Sequence, residues 1–260
     1  MKMADKMLSQ VTGKRPTPNK PQPSKPTKTY TETYNDPVDG TKLEAFVAEP
    51  NKKDRSGKAP AILIIHDDNG RDSYEDKRAE QLASLGYVAF AADLFGSKSK
   101  SDDLLKDRAG LMQRRIKAAY TQLTSLAVVD SNQVVAIGYS FGGTAVCDMA
   151  RAAYDVKGVV NFHGGLSLPA KDVYTKDDYA EHPKVLVILG YDDKTISEDE
   201  IEKFEQEVSE AELDWQVHFF GNGTKHAFTV AGDENFHALS DTRSFELLQY
   251  FLDETLRFRP

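Results

Sequence analysis

One cysteine and one tryptophan occur among 260 residues. A lone Cys147 excludes an intrachain disulfide and every CxxC metal or redox motif; it falls on a stretch of helical spacing and reads as a small core residue. Positive charge is also in short supply. Thirty-three Lys and Arg face 41 Asp and Glu, a formal net charge of −8. Nucleic-acid binders present a basic field, so no nucleic-acid partner is expected. Long apolar runs are missing as well. Stretches such as residues 61–65, "AILII", fall far short of the roughly 20 residues that span a bilayer, so no membrane partner is expected. Residues 1–10 carry lysines but no apolar core of a secretory signal, which makes the cytoplasm the expected location.

What is present organises itself in two parts. Residues 12–29, "TGKRPTPNKPQPSKPTKT", are basic, rich in proline and almost free of apolar side chains. Such a segment buries too little surface to offset its ordering entropy, so residues 1–29 read as a disordered tail. Residues 30–260 read as one domain, because 40% hydrophobic content over this length suffices for a single core. A monomer or small homo-oligomer is expected.

From residue 31 the patterning is regular. "YTETY" and "KLEAFVAE" alternate on either side of "NDPVDGT" and predict an antiparallel pair at a sheet edge. "APAILIIH", "YVAFAADLFG", "VVAIG", "KGVVNFHGG", "KVLVILGYDD" and "DWQVHFF" follow as strands, mostly continuous and apolar. Helical spacing separates them: residues 74–85, one long amphipathic helix over 101–126, then 143–153, 197–210 and a closing helix over 241–257. This alternation predicts an α/β fold, a mostly parallel sheet flanked by helices.

In such sheets, reactive groups gather beyond the carboxyl ends of the strands. There the sequence places His66, Asp67 and Asp68, then Ser140, His163, the pair Asp192 and Asp193, and finally His226. A hydroxyl, carboxylates and imidazoles on one rim are the types a Ser–Asp–His triad needs. Their chain order is that of an α/β-hydrolase: Ser140 first, Asp192 or Asp193 second, His226 last. Gly138-Tyr139-Ser140-Phe141-Gly142 fits a nucleophile elbow, in which a strained serine needs small neighbours. The plainer reading of those glycines is an incidental tight turn, which the ordered acid and histidine make the weaker one. At the start of a helix, the Phe141 N–H would face a developing oxyanion; a second donor is expected from the loop after "ILIIH", the N–H of Asp68.

Taken together, "AILIIHDDNG…RAEQLASLGYVAFAADLFG", "VVAIGYSFGGTAV", "GVVNFHGGL", "KVLVILGYDD" and "GTKHAFT" resemble the dienelactone hydrolase family over roughly residue 42 to the C-terminus. The resemblance implies an α/β-hydrolase fold with no large cap domain, acting on small-molecule esters or lactones without a metal or organic cofactor. It also implies Ser140 as nucleophile, Asp193 as acid (three residues beyond the strand-end Gly190) and His226 as base, with Phe141 and Asp68 framing the oxyanion hole. Asp67, Tyr139 and His163 are further site-lining candidates. His163 also reads as a structural residue hydrogen-bonded at a strand end, His218 as a strand residue and His237 as a solvated loop residue.

Three departures from the family pattern bear on substrate. The family commonly has cysteine at the elbow, where this chain has Ser140; a serine must lose its proton during attack, so dependence on His226 is stricter. A glutamate is common after the first parallel strand, where this chain has Asp67-Asp68-Asn69. The arginine that type members place four residues after the histidine, for a substrate carboxylate, is replaced by Val230. A neutral ester or lactone is therefore expected rather than dienelactone itself. The rival reading is a non-catalytic binding protein that keeps the elbow as architecture, favoured by carboxylates beside a would-be oxyanion. A metal site on His66, Asp67, Asp68 and His163 has no established ligand spacing behind it.

Overall fold

The computed structural model describes residues 28–51, 57–169 and 183–257. The first 27 residues of the expected tail lie outside that range; its last two already belong to the first strand. Eight strands form one sheet: β1 (Lys28–Asn35), β2 (Lys42–Glu49), β3 (Ala59–Ile65), β4 (Val88–Ala92), β5 (Val129–Tyr139), β6 (Gly158–Phe162), β7 (Lys184–Gly190) and β8 (Trp215–Phe220). Their spatial order is β1-β2-β4-β3-β5-β6-β7-β8. The hairpin β1–β2 and its junction with β4 are antiparallel, and every other pairing is parallel. This is the mostly parallel, helix-flanked sheet that the alternation predicts, and it has the α/β-hydrolase architecture that the resemblance implies.

The sheet is buried on both faces, in keeping with the nearly continuous apolar runs of its central strands. Along β3, Ala61, Leu63 and Ile65 join one core with Ile116, Leu123, Val146 and Phe204. Ile62 and Ile64 point the other way, into a second core with Leu82, Phe228, Leu248 and Leu252. The first core is covered by α3 (Gln113–Ser125), α4 (Phe141–Arg151) and α5 (Glu198–Glu210), and the second by α1 (Ser73–Ser84) and α6 (Ala238–Leu252). Cys147 is buried in the first core, where burial pushes its thiol up to about 11.

One helix differs from its expectation. Residues 101–126 form α2 (Ser101–Lys106), a π-helical turn (Arg108–Met112) and then α3, rather than one continuous helix. The break is at Asp107, with φ −129° and ψ 58°. Its carboxylate accepts the N–H groups of Gly110 and Leu111 and so caps a new helical start inside a stretch of unbroken apolar spacing. The closing helix also begins earlier than its pattern. His237 is its N-cap, accepting the Ser240 N–H at Nδ1, and is not simply a solvated loop residue.

Candidate active site

At the end of β5 the chain turns into α4 through Ser140, whose φ of 49° and ψ of −113° lie in a region that residues with a Cβ avoid. The flanking glycines make that turn sterically feasible. A Cβ on Gly138 would stand 2.0 Å from the Gly142 carbonyl oxygen, and one on Gly142 would stand 2.2 Å from that of Ile65. Backbone therefore runs against backbone on both sides of the serine. The Ser140 N–H donates to Phe162 O at 2.9 Å, which fixes the turn to β6, and the first helical bond is Thr144 N–H to Ser140 O. The N–H of Phe141 consequently has no partner within the helix.

The Ser140 hydroxyl oxygen is 2.9 Å from His226 Nε2. On the other side of the ring, His226 Nδ1 lies 2.9 Å from Asp193 Oδ2. His226 is carried by the loop after β8. That loop lies directly on the end of β7, where a Cβ on Gly190 would meet Thr224 O at 2.5 Å. Asp193 sits in the turn leaving β7, with its N–H bonded to Gly190 O. Its neighbour Asp192 faces elsewhere and accepts the Gly223 N–H. Of the two candidate acids, only Asp193 meets the imidazole.

Thr195 gives no signal in the sequence, yet it completes this arrangement. Its N–H and hydroxyl both donate to Asp193 Oδ1, at 2.8 and 2.6 Å, and its Oγ1 is 3.1 Å from His226 Nδ1. The only sequence cue is a threonine two residues after an aspartate, a common turn pattern. Burial would raise the Asp193 carboxyl, but the bonds from His226 and Thr195 outweigh it and hold the group below its usual range. Burial likewise opposes charge on His226. There the bond to Asp193 and the charges of Asp193, Asp68 and Asp233 prevail, raising the imidazole above its ordinary value.

The expectation for Asp68 concerns its backbone N–H; its carboxylate is a separate feature of the site. Its exposed side chain reaches the nucleophile position, and the Ser140 hydroxyl donates to Asp68 Oδ2 at 2.6 Å. Asp67 is buried and turned back on its own loop, accepting the Asn69 N–H. Tyr139 packs its ring into the core against Tyr74 and Phe162. His163, fully buried with φ 44°, stands edge-on to the His226 ring at 5.2 Å. Its Nε2 is 2.9 Å from the hydroxyl of Thr229, which also accepts from the Tyr74 hydroxyl. Burial and the neighbouring His226 charge push its imidazole down to about 3, so it stays neutral.

Two clefts flank these residues. One of about 760 Å³ reaches the site at Asp68 and is walled by Arg71, Asp93 and Phe95. Another of about 480 Å³ reaches it at Asp193, beside Tyr191 and Ile196. Among the described residues no three or more His, Cys, Asp or Glu are grouped to hold a metal ion. His66, one of the four imagined ligands, is engaged at both ring nitrogens, donating to Asp67 O and accepting the Leu94 N–H. Among the described residues no helix is long and apolar enough to cross a membrane.

Known proteins share this fold and part of this sequence. A dienelactone hydrolase-like promiscuous phosphotriesterase from metagenomic libraries is 28% identical, with a TM-score of 0.78 over 88% of this chain and 98% of its own. A probable 2-oxo-3-(5-oxofuran-2-ylidene)propanoate lactonase from Bradyrhizobium sp. is 24% identical across 73% of this chain and 81% of its own length. Dipeptidyl-peptidase 5 of Schizosaccharomyces pombe is 27% identical over 123 residues, which are 44% of this chain but only 18% of that protein. The family profile itself matches residues 43–256, nearly the whole described fold, and the chain belongs to the dienelactone hydrolase family.

Proposed function

We propose that the protein hydrolyses small carboxylic esters or lactones, with Ser140 as nucleophile, His226 as general base and Asp193 as the acid that orients it. The observation that carries this reading is the unbroken relay of 2.9 Å contacts from Ser140 Oγ through His226 to Asp193 on a strained turn at a helix N-terminus. In attack, the Oγ–C bond forms as the substrate carbonyl opens, and the hydroxyl proton passes to Nε2. The oxyanion is received by the N–H of Phe141 and that of Asp68. On collapse the ester C–O bond breaks and Nε2 returns its proton to the leaving alcohol. Water, deprotonated by the same imidazole, then releases the acid from the acyl-enzyme. No cofactor enters these steps. The lactonase name of one relative and the phosphotriesterase title of another support a hydrolase acting on a lactone or ester.

The Asp68 carboxylate on Ser140 Oγ favours a second reading, a binding protein in which the hydroxyl is held out of action. A fluorophosphonate separates the two. It reacts rapidly only with a serine whose proton is removed and whose charge is stabilised. The expected result is one adduct per chain on the Ser140 peptide, abolished by Ser140→Ala and by His226→Ala. A folded wild-type protein that stays unlabelled would overturn the hydrolase reading.

A further inference from the structure

Ser140 has one proton and two acceptors. Its hydroxyl donates to Asp68 Oδ2 at 2.6 Å while Nε2 of His226 waits at 2.9 Å. For attack the proton must be directed to His226, so Asp68 has to release the bond it accepts. A carboxylate releases one donor most readily when another takes its place. The most effective replacement is a charged N–H, because it adds attraction between opposite charges to a bond that the neutral hydroxyl makes with the carboxylate alone.

Geometry limits where a substrate can carry that donor. A carbonyl carbon poised for attack stands about 3 Å from Oγ. An amino group on the α carbon is two bonds from the carbonyl carbon, and so falls within hydrogen-bond reach of an oxygen that itself touches Oγ. The cleft that reaches Asp68 is mixed in sign, with Lys42, Arg71 and Lys100 beside Glu44 and Asp93, and negative charge concentrates at the serine and histidine themselves. Asp68, Asp193 and Asp233 all act on His226 as negative charges. The nearby Arg71 is paired with Asp76 at 2.5 Å.

Building on the esterase reading above, we propose that Asp68 is a specificity-determining residue that selects esters with an α-ammonium group on the acyl side, such as α-amino acid esters. The ammonium takes over the Asp68 carboxylate, and the Ser140 hydroxyl turns to His226. An acyl group bearing a carboxylate meets Asp68 as a like charge and is the poorest class.

The test compares benzyl esters of alanine, propionate and succinate at mildly acidic pH, where the amine is protonated, by release of benzyl alcohol. Wild type, Asp68→Asn and Asp68→Ala are assayed beside Ser140→Ala. The quantity read is the alanine-to-propionate ratio of kcat/KM in wild type divided by that in each Asp68 variant, which cancels the intrinsic reactivity of the esters. A value of about tenfold or more is expected, the scale of one partly exposed charge-assisted bond, and succinate should gain relative to propionate in both variants. A double ratio near one, with propionate ester still cleaved in a Ser140-dependent way, overturns the selectivity and leaves the hydrolase reading standing. No Ser140-dependent cleavage of any of the three overturns both.

Discussion

Replacing Asp193 by asparagine tests the relay at its buried end. The two carboxylate oxygens have separate tasks: Oδ2 faces His226 Nδ1, while Oδ1 accepts both the N–H and the hydroxyl of Thr195. An asparagine has one acceptor oxygen and one donor NH₂. The Thr195 N–H is a fixed donor, so the amide oxygen stays with Thr195 and the NH₂ turns toward the imidazole. Nδ1 then has to accept, Nε2 holds the ring proton, and the ring presents no lone pair to Ser140. In a Ser–His–Asp triad this tautomer error costs roughly 10⁴-fold in kcat, about 5.5 kcal/mol of barrier. Here the Thr195 hydroxyl, 3.1 Å from Nδ1, offers a substitute acceptor that preserves part of the useful tautomer. The expected loss in Asp193→Asn is therefore about 10³- to 10⁴-fold, with KM little changed, and adding Thr195→Val brings it to the upper end. The assay is steady-state hydrolysis of a short-chain p-nitrophenyl ester, with circular dichroism to confirm folding. A folded Asp193→Asn protein that keeps more than about a tenth of wild-type kcat would refute the role assigned to Asp193.

Stability and pH offer independent checks. Asp148 is completely buried and receives Arg108 through two bonds and Arg151 through a third. Asp148→Ala leaves the Arg108 guanidinium with only Ser167 O, while Arg151 keeps Glu207 and Leu166 O, and should cost about 3 kcal/mol in denaturant unfolding, the lower end for a broken buried pair; a loss below about 1 kcal/mol would show that Arg108 finds another partner. Glu75 is buried at the start of α1, and desolvation raises its carboxyl to about 7. Folding therefore favours its protonated form: that stability is complete below the ordinary carboxyl range and is lost as pH rises through about 7. Glu75→Gln should flatten the fall in Tm between acid and mildly alkaline pH, a difference of about 1–3 kcal/mol, and an unchanged slope would count against the shift. Because Asp68 and Asp193 raise His226, Asp68→Asn should move the acid limb of kcat/KM to lower pH, read from a pH–rate profile.

The sequence alone determined the order of strands and helices, because unbroken apolar runs and helical spacing are local properties that follow from burial on two faces or on one. It also determined the elbow, since only glycine tolerates the 2.0 and 2.2 Å approaches seen at Gly138 and Gly142, and the chain order of the serine, acid and histidine. Tertiary structure decided what depends on direction. Residue type and position leave two adjacent aspartates open, and only the family spacing from Gly190 favours Asp193; the turn after β7 aims Asp193 at His226 and Asp192 at Gly223. The loop after β3 likewise turns Asp67 inward and lays Asp68 on the serine hydroxyl. Thr195 and Thr229 reach their histidines across 31 and 66 residues of chain, a distance at which no local pattern records contact. The break at Asp107 escaped apolar periodicity for a related reason: a carboxylate capping two N–H groups is a polar event, and the spacing of apolar side chains carries no trace of it.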